Sequence, residues 1–405
     1  MRSVRFGSRA AARCAVGVAL VPVAISAAVL PAAAAPQDQA APPAQAREDR
    51  SSGPAIRNGL RTVTPDDLVI GTAVAGGGHH VNADYPDPFT RDPRYRKVLA
   101  TEFDSVSPEN QMKWEFIHPE PGVYNFGPAD AIVAFAERHG QVVRGHTLLW
   151  HSQLAEWVTE GDYSDEELRA ILKDHIQTVV GRYAGRIQQW DVANEIFADT
   201  WDDGGVRLRD GSTGATANIF IQRLGPGIIA DAFRWAHEAD PEAELFLNDY
   251  AVEDMGPKSD AYYELAQELL ADGVPLHGFA FQAHLDLQYP FPETLDENMQ
   301  RFDDLGLETA ITELDVRFTL PESGVPTAEQ LAEQADTYRG VLEACLSVDD
   351  CNSFTIWGFN DRYSWVPSFS PGQGAATVMF EDYERKPAYW ALHETLAEGE
   401  AEAGR

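Results

Sequence analysis

From about residue 60 onward the chain repeats one pattern. A short apolar run gives way to a few polar residues, then to a stretch whose apolar positions recur every three to four residues. The short runs are DLVIGTAVA (67–75), FDSVS (103–107), QVVRGHTLL (141–149), IQQWDVAN (187–194), ELFLND (244–249), GFAFQAHL (278–285), ETAITELDV (308–316) and SFTIWGF (353–359). Their lengths and β-rich composition predict strands. Between them DAIVAFAERHG, DEELRAILKDHIQTVVGRYAG, GIIADAFRWAHEAD, SDAYYELAQELLADG and AEQLAEQADTYRGVLEACL predict amphipathic helices, several closed by glycine. Strands alternating with helices pair in parallel, so eight units in roughly 340 residues predict an α/β fold, a single (β/α)8 TIM barrel over residues 60–397. An open doubly wound sheet is the alternative. It is weakened because neither common glycine-rich phosphate loop follows a strand.

The pattern changes at the N-terminus. Arg2, Arg5, Arg9 and Arg13 precede an apolar run from Ala15 to Leu30 and the tract PAAAA. This predicts a secretory signal peptide over residues 1–35 and a secreted, extracellular protein. A second Ala-x-Ala at Ala44-Gln45-Ala46 offers a later cleavage point. The run is short and holds Pro22, which disfavours a permanent span. Residues 36–59, rich in Pro, Ala and Gln, read as a disordered lead-in, and residues 398–405 as a tail.

Charge narrows the partners. The formal net charge is −33, and without residues 1–46 it becomes −36, from 27 basic and 63 acidic side chains. Nucleic acid and anionic membrane demand clustered Lys and Arg and are disfavoured. Of three cysteines, Cys14 leaves with the signal peptide, while Cys345 and Cys351 are close enough to predict one short-loop disulfide in an exported chain. Two buried thiols are the alternative.

A barrel carries its chemistry at the C-terminal ends of its strands. There the chain reads PENQMKW, HTLLWHSQ, NE, NDY, QAHL, TELD and WGFNDRYSW. WDVANE places Asn194 and Glu195 side by side at the end of the fourth strand, and Glu313 lies in the seventh. Two carboxyls facing across a gap are the apparatus of glycosidic cleavage, one protonating the leaving oxygen and the other attacking the anomeric carbon or activating water. Strand periodicity puts Gln282 with His284, and Glu313 with Asp315, on facing sides of adjacent strands. A histidine between Glu313 and Asp315 would keep Glu313 ionised, which suits a nucleophile and leaves Glu195 as acid/base. The alternatives are a satisfied core histidine for His284 and a barrel ion-pair partner for Asp315. In GHTLLWHSQ, an extended strand puts His146, Leu148 and Trp150 on one side, with His151 and Gln153 beyond. Trp357 and Trp365 offer flat platforms for sugar faces, and Lys113, His146 and the amides offer directional hydrogen bonds.

Together WDVANE, ITELD, SPENQMKW, GHTLLWHSQ, FQAHLD and WGFNDRYSW resemble glycoside hydrolase family 10, the secreted endo-1,4-β-xylanases, over roughly residues 60–395. The resemblance implies a (β/α)8 barrel that cleaves β-1,4-xylan with retention, Glu195 as acid/base and Glu313 as nucleophile, their carboxyls about 5–5.5 Å apart. It implies that His146, Trp150, Asn194, Gln282 and His284 line the cleavage subsite. Glu109, Asn110, Lys113 and Gln153 would hold the next sugar toward the non-reducing end, covered by Trp357 and Trp365. A short disulfide before the eighth strand also fits it. The expected partners are xylan and xylo-oligosaccharides, acting on a monomer without metal or cofactor.

Two segments depart from the family's pattern. GGGHHVNADYPDPFTRDPRY after the first strand is long, and its His79-His80 pair has no third ligand at a defined spacing. TWDDGGVRLRDGSTGATANIF after the fourth strand differs where leaving-group sugars would bind, and Asp202, Asp203 and Asp210 in it read as a solvated loop rather than a calcium site. No carbohydrate-binding module is expected after KPAYWALHETLAEG. Two rival functions remain: a non-catalytic polysaccharide-binding barrel, which needs no Glu195–Glu313 pair, and a metal-dependent hydrolase using His146, His151 and His284.

Overall fold

The computed structural model describes residues 59–80, 83–199 and 205–403, all inside the unit Pro54–Arg405 that its contacts set apart from Met1–Gly53. The predicted signal peptide and the lead-in up to residue 58 lie outside the described residues, as do Asp202 and Asp203.

Among the described residues eight parallel strands close into a barrel: β1 (Val69–Val74), β2 (Ser105–Pro108), β3 (Val142–Leu149), β4 (Gln189–Asn194), β5 (Glu244–Asp249), β6 (Gly278–Phe281), β7 (Glu308–Thr319) and β8 (Cys351–Ile356). Each pairs with the next, and closure comes from β8 against β1, with Val69 opposite Ser353 and Thr72 opposite Ile356. The predicted strands and the barrel are therefore present. Helices cover the outer face, which is why a strand such as β5 is buried continuously rather than in alternation.

Local chemistry explains the helix boundaries. Ser164 and Thr327 each form a capping box, with Glu167 and Gln330, at the starts of Asp165–Arg182 and Ala328–Leu346. Gly140, at φ 62°, ends Gly127–His139 in the left-handed conformation that costs glycine least. The core between helices and strands is continuous, and a small separate cluster of Phe246, Ala280 and Ala310 joins β5, β6 and β7. Gly278 is needed there, because a Cβ would lie 2.1 Å from the Phe246 ring. The Cys345–Cys351 disulfide is present and ties the end of helix Ala328–Leu346 to the first residue of β8.

Two strands depart from expectation. The sixth was expected over 278–285 but β6 stops at Phe281, because Ala283 turns into the left-handed region (φ 59°) before a short strand, His284–Asp286, resumes pairing with β7. In the third, the register against β4 slips between His146 and Leu149, so Leu148 enters the core instead of facing the same side as His146 and Trp150.

Candidate active site

The C-terminal ends of the strands surround a cleft of about 380 Å³. Eleven of the side chains expected there line it: Glu109, Lys113, His146, Trp150, Gln153, Glu195, Gln282, His284, Glu313, Trp357 and Trp365. Asn110, Asn194 and Asp315 are fully buried behind that wall and act on it by hydrogen bonds.

Glu313 is buried in β7 among donors and cations. One carboxylate oxygen accepts from Asn248 Nδ2 at 2.8 Å, and the other lies 3.3 Å from His284 Nε2. His284 Nδ1 is 3.0 Å from Asp315 Oδ2, which also accepts from Trp365 Nε1 at 2.8 Å. Burial alone would lower the His284 pKa, but Asp315 and Glu313 push it up to about 10, so the ring is an imidazolium near neutral pH. Burial alone would likewise raise the Glu313 carboxyl. The charge of His146 and the bond and charge of His284 outweigh it and hold the carboxyl down at about 2. His146 is itself fixed by Asp191 at 2.9 Å, and Asp191 is paired with the buried Arg144.

Glu195 follows β4 in a left-handed conformation (φ 51°). Its backbone is pinned on both sides: its N–H donates to Asn248 O at 3.0 Å, and its carbonyl accepts from Arg209 Nε at 2.9 Å. Its carboxyl meets neutral donors, Trp150 Nε1 at 2.8 Å and Gln282 Nε2 at 3.1 Å. His151 stands 3.8 Å away, and burial drops its pKa to about 4, so it too is neutral near pH 7. Asn194 lies between the two carboxyls, with its side-chain amide 2.9 Å from Asn248 Nδ2 and 3.2 Å from Gln282 Nε2.

On one side of this pair the turn after β2 presents Glu109 and Lys113. Burial raises the Glu109 carboxyl to about 7 against the pull of Lys113, and burial lowers Lys113. Asn110 Oδ1 accepts from Lys113 and from Gln153, at 3.3 and 3.2 Å. Trp357 packs edge-on to His146, centroids 5.3 Å apart, and Trp365 lies 5.0 Å from His284. On the other side an adjoining cavity of about 400 Å³ shares Tyr250, His284 and Arg317 with the first. Both cavities are lined by rings and hydrogen-bonding side chains, suited to a neutral polymer of sugars.

The model of glycosyl hydrolase family 10 matches residues 61–395 of this chain. The chain belongs to that family. It is 41% identical over 305 residues to endo-1,4-beta-xylanase B of Thermotoga neapolitana, spanning 75% of this chain and 84% of that protein. To the endo-1,4-beta-xylanase of Agaricus bisporus it is 38% identical over 322 residues, 79% of this chain and 92% of that one. Among solved structures, xylanase 10B from Thermotoga maritima superposes with a TM-score of 0.75 at 37% identity, over 85% of this chain and 99% of that chain. Xylanase 10B from Thermotoga petrophila RKU-1, in complex with xylobiose, gives a TM-score of 0.75 at 37% identity, over 84% and 97%.

For a family 10 member, sequence reasoning found the carboxyls and their nearest partners and missed what supports them. Asn248, in the quoted NDY, bonds to both Asn194 and Glu313, and nothing in its local pattern signals that. Tyr85, Ser152, Tyr250, Arg317 and Phe369 also line the cleft. Tyr85 comes from the long loop after β1, stacked on Phe369 with centroids 6.5 Å apart. His146 and His284 both act on Glu313 while His151 stands beside Glu195, and among the described residues no group of three or more His, Cys, Asp or Glu converges as metal ligands would. The side chains of His79 and His80 lie outside the described residues.

Proposed function

We propose that the chain hydrolyses internal β-1,4-xylosidic bonds of xylan and xylo-oligosaccharides with retention, as an exported monomer without cofactor. Glu313 is the nucleophile and Glu195 the acid/base. The observation that carries this reading is the asymmetry of the two carboxyls: His146 and His284 hold Glu313 ionised, down at about 2, whereas the Glu195 carboxyl accepts its hydrogen bonds from two neutral donors, Trp150 and Gln282. The names of the similar proteins support both the substrate and internal cleavage.

In the first step Glu313 forms a bond to the anomeric carbon while Glu195 gives its proton to the departing glycosidic oxygen. In the second, Glu195 takes a proton from water, the water oxygen bonds to the anomeric carbon, and Glu313 leaves as carboxylate. Asn194, buried behind the cleft wall, bonds to Asn248 and Gln282 and so orients the two side chains that reach Glu313 and Glu195.

Proton NMR of xylohexaose hydrolysis tests this directly. The β-anomer is expected to form first, and Glu313→Ala to lose kcat on the order of 10⁴-fold or more. First appearance of the α-anomer would make Glu313 a general base, and no cleavage by the wild type would leave a polysaccharide-binding barrel.

A further inference from the structure

One buried carboxyl outside this chemistry holds the residue that lies between Gln282 and His284. Glu253, in the loop after β5, is 6% exposed and accepts two backbone N–H groups, Ala283 at 2.8 Å and its neighbour Val252 at 3.0 Å. Ala283 is the left-handed residue between β6 and the short strand His284–Asp286. The residue before it, Gln282, reaches Glu195, and the residue after it, His284, reaches Glu313. The directions of these two side chains therefore depend on one kink. A non-glycine residue resists that conformation, so something must hold it there.

Glu253 lines the adjoining cavity, and its backbone is held from helix Leu295–Asp303. Asn298, fully buried in helix Leu295–Asp303, donates to the carbonyls of Val252 and Glu253 at 2.6 and 3.1 Å and is oriented by Ser259 and Arg301. The charged groups that act on the Glu253 carboxyl are Lys258 and His284.

We propose that Glu253 is a positioning residue: its carboxylate clamps the Ala283 amide and thereby sets Gln282 against the acid/base and His284 against the nucleophile. This rests on the roles proposed above for Glu195 and Glu313. Without the clamp the peptide relaxes toward a regular strand, and both contacts loosen together.

The test measures kcat, KM and the pH profile of kcat/KM on xylohexaose for four forms of the full chain: wild type, Glu253→Ala, Glu253→Gln, and Glu253→Ala with Ala283→Gly. Glu253→Ala is expected to lose kcat by about 10²-fold, the scale of a displaced catalytic group, with KM changed less. The acid limb should move up by about one unit, because His284 no longer holds Glu313 ionised. Glu253→Gln keeps one accepting oxygen and is expected to lose only about three- to tenfold, with part of the limb shift. Glycine adopts the kink unaided, so adding Ala283→Gly should recover about tenfold. A merely structural role would lower thermal stability and leave the acid limb where it is. An unmoved limb with kcat within twofold of wild type in the variants that fold overturns the proposal, and so does a loss that Ala283→Gly does not recover. If Glu253→Ala does not fold, Glu253→Gln decides by the same two readings. Wild-type behaviour of the Glu253 variants beside an inactive Glu313→Ala sinks this inference alone; an active Glu313→Ala sinks the reading beneath it.

Discussion

Both ends of the barrel bring two glutamates together, and they treat them in opposite ways. At the C-terminal end, Glu195 and Glu313 sit in different electrostatic settings, and His284, held protonated by Asp315, takes the side of one of them. At the N-terminal end, Glu244 opens β5 and Glu308 opens β7, among the amides of Gln189 and Asn352. Burial first, and then Glu244 and Asp350, raise the Glu308 carboxyl to about 7 against the bond from Asn352. There the neighbouring glutamate only pushes Glu308 toward its neutral form. A carboxyl pair is therefore not chemistry by itself; under the roles proposed above, a cation placed on one member and neutral donors on the other make it so. The same contrast separates the reactive face of the barrel from the face that only holds it closed.

The sharpest way to break the contrast is to remove the cation. His284→Gln is expected to reduce kcat on the order of 10²-fold and to move the acid limb of kcat/KM upward by about one to three units, since Glu313 loses its charged partner. The sign for stability follows from the same pair. His284 rises from 6.5 to about 10 on folding, so its contribution is full below pH 6.5 and is lost as pH climbs through 10. Glu313 falls from 4.5 to about 2, so its contribution is full above pH 4.5 and is lost as pH drops toward 2. Urea midpoints at pH 6.5 and pH 10 should fall further apart in the wild type than in His284→Gln. An equal alkaline loss in both proteins would mean that the imidazolium contributes nothing to the difference between the two ends.

How much of this was readable beforehand varied with how local the signal was. The eight strands, Glu195 and Glu313 were legible because apolar runs and strand-end polar residues are local patterns. The disulfide was legible because Cys345 and Cys351 are six residues apart. The meeting of His284 with Glu313 and Asp315 was also foreseen, but for an incomplete reason: a regular strand over 278–285 was expected, and the real path kinks at Ala283 under a carboxyl 30 residues away. Asn248 and Arg209 were missed for the same cause. Each matters through a contact made only when distant strands and loops converge, and no period in the sequence encodes such a contact. The short helix Leu295–Asp303, which anchors Glu253 through Asn298, offers only Leu295, Met299 and Phe302 as an apolar stripe.

A middle-sized effect belongs to the disulfide, which lies on the N-terminal side where β8 begins. Replacing Cys345 and Cys351 with serine is expected to cost about 2 kcal/mol, the entropy of a short closed loop, or roughly 4 °C in Tm. Activity at 25 °C should stay within twofold of wild type. A fall in kcat with no change in Tm would contradict the division of labour between the two faces.

The smallest expected effect sharpens the comparison most, because it acts on the pair at the N-terminal end. Glu308→Gln keeps the shape of the side chain and removes its charge. A carboxyl whose pKa rises from 4.5 to about 7 on folding withdraws stability as pH climbs through that window, since the folded chain must give up a proton it holds more tightly than the unfolded one. The substitution should therefore leave Tm unchanged near pH 4.5 and raise it at pH 8 by about 1 to 2 °C, a modest gain because solvent screens a group that is not fully buried. Hydrolysis of xylohexaose should be unaffected at either pH. Calorimetry at the two pH values reads the first expectation and initial rates read the second. A lower Tm at pH 8 would mean that Glu308 is held by a partner as firmly as Glu313 is, and the two ends of the barrel would then differ in reactivity but not in electrostatics.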